Sequence, residues 1–575
     1  MHEADEWRLG VESGGAGVPG TTPIALPQPH LAGERLDRPL FVITAELLGW
    51  FGIALFALAS RLWMLGARPL DPREALAALS ELGAWSHPIM LLRGSPDSAA
   101  LPIRLFESIM FAAFGSDDST ARLAFAGFGL LLIASAFGFR RHVGRAGALG
   151  IAAMLALSPS VAYFSRSAST VLPAVALELA AILLFLELTR APSAARAAIA
   201  GAISGLALAL DPTALATAII LAATLAITGI VLAFATAHPM LGVRVWWERR
   251  RTLLLIFGVA MIGVWLMSAP EFISRNSFAP VVDAFRSNLS GSATRGFKAG
   301  LGFYLPMIAL YEFLIAGAAI VGAIAVLTFR VRSMVAFAAL VWTALAVAFW
   351  AWTPARSPAT SLQMLAPMAL LGGFAIDFLY RLRAWKVIRY VVFALAIATI
   401  FVQTRNDFVF YTPDSSEAPW ARHMLLFWES PATTLVTPLD AGRIVEAASG
   451  GDGTVFFAED SSVMRWFLRG LRSVSKIDEA AVIVGTVKPG SFSGQNDASS
   501  MKFEVSQAWH PRWNQVSWRV GLKYILNGRA WGDVETTDVD VLTRPLSSTV
   551  STLIVAPAPV ASPGDLLPSP PAGVP

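Results

Sequence analysis

Long apolar runs recur along this chain, and roughly 20 apolar residues is what one helix needs to cross a bilayer. Clear runs begin near Leu40, Thr120, Ala146, Val171, Ala197, Thr213, Thr252, Leu301, Met334, Ser361 and Val387. Composition agrees: of 575 residues, 55% are hydrophobic and 15% charged, where a soluble protein carries about a quarter charged residues. A polytopic, all-α membrane protein is the expected class. The chain has no cysteine, which excludes disulfides and thiolate chemistry. Its seven His fall in no metal-binding spacing, so no metal ligand is assigned. The basic residues sit in short clusters between apolar runs, which leaves no footprint for nucleic acid.

Those basic clusters set the orientation. They lie at Arg140 to Arg145, at Arg190 and Arg196, from Arg244 to Arg251, at Arg330 and Arg332, and from Arg381 to Arg389. Positively charged loops stay in the cytoplasm. A shorter run, "PIRLFESIMFAAFG" (Pro102 to Gly115), contains Arg104 and Glu107. If it does not cross, every basic cluster falls on the side of the N-terminus; if it does, all of them fall outside. The first solution is preferred. It gives eleven spans, a cytoplasmic N-terminus, an extracytoplasmic C-terminal region, and a long first external loop over 65–119 with an interfacial helix.

Four regions follow. Residues 1–38 are polar and Gly/Pro-rich with no apolar signal core, and are expected to form a disordered cytoplasmic tail. Residues 39–405 form the transmembrane domain. Residues 411–545 turn mixed and polar: "GTVFFAED", "SSVMRWFLRGL" and "AAVIVG" read as strand, helix, strand, and predict a small extracytoplasmic α/β domain. It has no Gly-rich phosphate loop. Residues 546–575 are Pro-rich and expected to be disordered.

Chemistry is expected where acids meet the outer membrane face. "RPLDPREALAALSELGAW" (Arg68 to Trp85) follows the first run and holds Asp71, Glu74 and Glu81. A carboxylate there can deprotonate an acceptor hydroxyl or hold a cation against a phosphate. The same residues also read as a helix start: Asp71 as N-cap, Pro72 at the first position, Glu74 completing a capping box. Both roles stay open. Ionisable residues within membrane segments form the second signal, because they are costly there. Arg122 and Arg166 fall near the external boundary, where they either bind phosphate or anchor the interface. Glu312 is deeper, and Asp211 before Pro212 reads as a helix cap.

Beyond single residues, "PLDPREALAAL" followed by "FGSDDSTARLAFAGFG", "RRHVGR" and "SPSVAYFSR" resembles the N-terminal half of GT-C glycosyltransferases that use polyprenyl-phosphate donors. That superfamily includes the protein mannosyltransferases and the lipid A aminoarabinose transferases. "FYLPMIALYEFLIAGAAIVG", "WTPARSPATSLQMLAPMALLGG" and "DFVFYTPDSSEAP" are similar to its flippase-activity-associated family of archaeal and bacterial membrane proteins. The resemblance spans about Leu40 to Arg544 and implies a sugar-carrying polyprenyl phosphate, the bilayer, and an acceptor glycan, lipid or protein as partners. Arg122, Ser165, Arg166, Tyr311 and Glu312 match the family pattern. The acidic pair usual in the first loop does not: Arg73 stands where an Asp is the proposed base, so only Asp71 or Glu74 can serve. Gln363 stands roughly where the subgroup has a His.

The expected activity is transfer of a sugar to an acceptor on the extracytoplasmic face, with Asp71 and Glu74 as catalytic residues and Arg122, Arg166, Tyr311 and Glu312 binding substrate. A divalent cation is an open requirement. The alternative is a homologue that has lost catalysis and binds lipid-linked sugars or assists their translocation or assembly. An ion-coupled transporter fits less well, since no internal repeat is visible.

Overall fold

The computed structural model describes residues 44–66, 72–82, 101–234, 239–268, 303–328, 333–353, 357–381, 454–459, 461–486, 499–510 and 533–543, with a few isolated positions beside them. Asp71, the side chain of Arg73, and both expected tails lie outside the described residues.

Seven helices are long and apolar enough to cross a membrane, or eight when Arg145–Leu157 and Pro159–Ser165, bent by 62° at Ser158, count as one span. In chain order the helices are α1 (Ala45–Leu62), α2 (Pro72–Leu82), α3 (Leu101–Phe114), α4 (Asp118–Gly138), α5 (Arg145–Leu157), α6 (Pro159–Ser165), α7 (Val171–Arg190), α8 (Ala194–Leu210), α9 (Thr213–Phe234), α10 (Pro239–Ser268), α11 (Tyr304–Tyr311), α12 (Phe313–Thr328), α13 (Met334–Trp352) and α14 (Leu362–Arg381). Ten of the eleven expected runs coincide with these helices. The run from Val387 lies largely outside the described residues. The runs at Ala197 and Leu301 give shorter helices, the second broken at Glu312. Pro102 to Gly115 forms the 14-residue α3, too short to cross.

Burial sorts the spans. Of the Ala359–Arg381 window, 78% is buried, against 17% of α1, so α14 runs through the middle of the bundle while α1 lies at its rim. Close packing comes from small residues, as expected where lipid supplies no hydrophobic drive between helices. A Cβ on Gly201 would sit 2.2 Å from the Phe257 carbonyl oxygen, and one on Gly205 2.2 Å from that of Met261, so α8 meets α10 backbone to backbone.

The break between α5 and α6 obeys the bilayer rule that freed backbone groups find partners inside the protein. Ser158 caps α6 by accepting from Val161 N, with Pro159 at the first helical position. The stranded carbonyls of Leu155 and Ala156 accept from the buried Arg61 at 3.1 and 2.7 Å.

After the bundle, residues 454–543 build a five-stranded sheet in the order β2-β1-β3-β5-β4. The strands are β1 (Thr454–Phe457), β2 (Arg472–Ser473), β3 (Val482–Val484), β4 (Ser499–His510) and β5 (Asp533–Thr543). β1 is parallel to β2 and β3, while β5 runs antiparallel to β3 and β4. The expected strand-helix-strand is β1, α15 (Ser462–Phe467) and β3, with Ser461 capping α15 through Met464 N.

Candidate active site

Three of the sequence-predicted residues come together at the C-terminal end of α1. Glu74, on the first turn of α2, is 2% exposed, and Arg122, one turn into α4, is fully buried. Arg122 donates Nη2 to Glu74 Oε2 at 2.5 Å and Nε to Oε1 at 3.3 Å, a two-nitrogen clasp. Glu74 Oε1 also accepts Ala168 N at 2.8 Å. Arg122 Nη1 donates to the Leu65 carbonyl at 3.3 Å.

Arg166, at the end of α6, grips the terminal carbonyls of α1. Its Nη1 donates to Ser60 O and Trp63 O at 3.0 and 2.6 Å, and its Nη2 to Met64 O at 2.9 Å. Helix carbonyls at a C-terminus lack intrahelical partners and carry partial negative charge, so a guanidinium there is stabilising. Met64 turns the chain at φ +51°, presenting those oxygens inward.

Glu312 and Tyr311 sit at the other end of α6. Glu312, in the break between α11 and α12, accepts Ser158 Oγ at 2.7 Å and Ser160 N at 2.9 Å through Oε1. It thereby joins the two helix breaks and satisfies the start of α6. These hydrogen bonds of Glu312 lie inside the bundle. Tyr311, the last residue of α11, is 3% exposed. Thus α6 and the turn after it link Glu312 at one end to Arg166 and Glu74 at the other.

Among the other buried polar residues, Glu178 escaped the sequence reading, and the partners of Glu81, Arg104, Gln363 and Asp211 were not assigned by it. Glu81 Oε1 accepts Arg104 Nε at 2.9 Å, a second buried ion pair between α2 and α3. Burial pushes the Glu81 carboxyl up, with Arg104 opposing. One turn beyond Arg104 lies Glu107, whose carboxyl is raised well above its ordinary range by burial and then by the charges of Glu81 and Glu74. Helix α3 therefore places an acid with a raised carboxyl beside two ion pairs. Deeper in the bundle, Gln363 donates to Glu178 and Thr213 Oγ1 at 3.3 and 3.1 Å and accepts Thr217 Oγ1 at 2.7 Å. Asp211 accepts Thr213 N, Thr213 Oγ1 and Thr170 Oγ1, which makes it both the expected cap and a tie between α7 and α9. The signal for Glu178 was present, an acid inside an apolar run; its partners were not, because Gln363 is 185 residues away.

Among the described residues no group of three or more His, Asp or Glu is placed to hold a metal ion.

No family model matches the chain, and no curated protein does. Among solved structures, the crystal structure of ArnT from Cupriavidus metallidurans in the apo state aligns at TM-score 0.50 and 17% identity, over 75% of this chain and 87% of that one. ArnT bound to undecaprenyl phosphate aligns at TM-score 0.53 and 16% identity, over 87% of this chain and 99% of that one. The chain has the fold of ArnT. The helical membrane bundle expected from the sequence is the architecture observed. At this identity the likeness is one of fold, and chemistry has to be argued from the residues of this chain.

Proposed function

We propose that this protein is a multi-pass membrane glycosyltransferase that moves a sugar from a polyprenyl-phosphate donor to an acceptor on the extracytoplasmic face. The observation that carries the reading is the buried Glu74–Arg122 clasp on the first loop of an ArnT-like bundle. ArnT itself has been solved with undecaprenyl phosphate, which supports a lipid of that class as the partner here.

The chemistry is an inverting displacement. The acceptor oxygen forms a bond to the anomeric carbon, the carbon–oxygen bond to phosphate breaks, and the phosphate keeps the electron pair. The acceptor proton goes to a carboxylate, Glu74 or Asp71. Arg122 is the natural holder of the leaving phosphate, since a guanidinium pairs with two oxygens and cannot give up its charge. When phosphate draws Arg122 away, the Glu74 oxygens that Arg122 holds are released to accept the proton. Arg166 contributes by fixing the end of α1 and the turn that brings Ala168 N to Glu74. Glu312 holds the far end of α6 in register. The sequence motifs support a place near the flippase-activity-associated family, with residues 411–545 on the extracytoplasmic side.

A second reading, a non-catalytic binder of lipid-linked sugars, is favoured by one observation: Arg73 stands where the family places its Asp. The two separate in one assay. Purified protein in lipid nanodiscs is given polyprenyl-phosphate sugars, and released polyprenyl phosphate is measured. Turnover that Glu74→Ala or Asp71→Ala abolishes supports the transferase. Saturable binding without turnover, indifferent to both substitutions, supports the binder.

A further inference from the structure

One buried aromatic side chain grips both helices of the Glu74–Arg122 pair from a distant part of the chain. Trp466, on α15 beside the C-terminal sheet, is 0% exposed. It belongs to an apolar cluster with Leu70, Ala75, Ala78, Phe111 and Ala121. Ala75 directly follows Glu74 on α2, and Ala121 directly precedes Arg122 on α4. The indole Nε1 donates to Asp118 Oδ1 at 2.6 Å. Asp118 lies four residues before Arg122, one turn away on the same face of α4. Arg469 stacks over the Trp466 ring at 4.2 Å and donates to the Ser116 carbonyl just ahead of α4. The indole therefore bonds the first residue of the helix that carries Arg122 and shares an apolar cluster with the helix that carries Glu74, while Arg469 holds the turn before α4.

Ordinary packing would bury apolar surface between the sheet region and the loop without regard to those two residues. Here the contact has a directed component, an N–H bonded to the acid at the start of α4. Its apolar component falls on the immediate neighbours of the pair. Helix α2 is only 11 residues long, below the length at which a helix holds itself in water, so its position depends on what packs against it.

We infer that Trp466 is a positioning residue for the Glu74–Arg122 pair, and that the C-terminal region acts as a clamp on the candidate catalytic loop. The inference deepens the transferase reading and rests on it for the kinetic arm of its test; the structural arm stands alone.

The test uses the full-length protein in nanodiscs, as wild type, Trp466→Ala, Trp466→Phe and Asp118→Asn. Amide deuterium uptake is followed in peptides covering 72–82, with 171–190 and 362–381 as internal references for the fold. Expected in Trp466→Ala is uptake over 72–82 about 10-fold faster, with both references unchanged. Expected kinetics are a fall in kcat of about 10- to 100-fold with KM for the donor within about twofold, the pattern of lost positioning rather than lost binding. Trp466→Phe keeps the ring and loses the N–H, so its kcat should fall between the two. Asp118→Asn keeps an oxygen that accepts the indole N–H, so its kcat should fall less than that of Trp466→Phe. Unchanged uptake over 72–82 in Trp466→Ala overturns the clamp. So does a kcat per folded molecule equal to wild type. Absence of turnover in wild type defeats the transferase reading instead, and leaves the uptake measurement to decide the clamp.

Discussion

The carboxylate of Glu74 and the guanidinium of Arg122 meet through two nitrogens in a space closed to solvent, although 48 residues separate them in the chain. A buried ion pair gains little over a well-packed apolar pair, but leaving one member alone costs about 3–5 kcal/mol.

Glu74→Ala should therefore lower the unfolding midpoint in detergent markedly, because Arg122 keeps its charge without its clasp. Glu74→Gln, which preserves shape and hydrogen bonding, should cost less than Glu74→Ala. Both should lack turnover if the carboxylate accepts the proton. Thermal unfolding and the release assay measured on the same preparations separate the two effects. A fully stable Glu74→Ala would contradict the geometry.

Arg166→Ala should destabilise the protein by about 3 kcal/mol or more, since hydrogen bonds to a charged group contribute roughly 1.5–3 kcal/mol each and three are lost here. Arg166→Lys should recover only part, because an ammonium does not reproduce a planar fork reaching three carbonyls. Chemical denaturation midpoints in a fixed detergent check the order wild type, Lys, Ala.

Glu107 predicts a pH dependence. Its carboxyl is raised in the folded protein by burial and by Glu81 and Glu74, so the native state binds a proton that the unfolded chain releases near pH 4.5. Its contribution to stability is full below that pH and is lost as pH rises through the raised folded value. Glu107→Gln, which stays neutral throughout, should remove this loss. The difference in melting temperature between Glu107→Gln and wild type should grow in favour of the variant as pH rises. A difference that stays flat from acid to alkaline pH would count against a raised Glu107 carboxyl.

Gly201→Ala should destabilise by about 1–3 kcal/mol, the usual range for overpacking, because its new methyl group would meet the Phe257 carbonyl at 2.2 Å. Gly229→Ala, with nothing within 4 Å of the new Cβ, should be neutral or stabilising by up to about 1 kcal/mol through helix propensity. Melting temperatures of the two variants test the packing of α8 on α10 directly.

Much of this was legible in the chain. The apolar runs, the α3 helix too short to cross, the cap at Asp211 and the strand-helix-strand after the bundle all come from local pattern, which hydropathy and capping chemistry decide within a few neighbouring residues. Asp71, Glu74, Arg122, Arg166, Tyr311 and Glu312 could be nominated the same way, from charge at an apolar boundary and from motif order. Their partners could not be. Nothing near Arg166 in sequence says that it closes the end of α1. Nothing near Trp466 says that it reaches the start of α4, 348 residues earlier.

The sequence by itself determined the membrane class, the run of helices and the list of costly polar residues, because a bilayer penalises each of these locally, residue by residue. Only the tertiary structure decided which charges neutralise one another. That choice depends on distances between segments remote in the chain. Within the low-dielectric interior, a shift of an ångström or two separates a satisfied ion pair from an isolated charge.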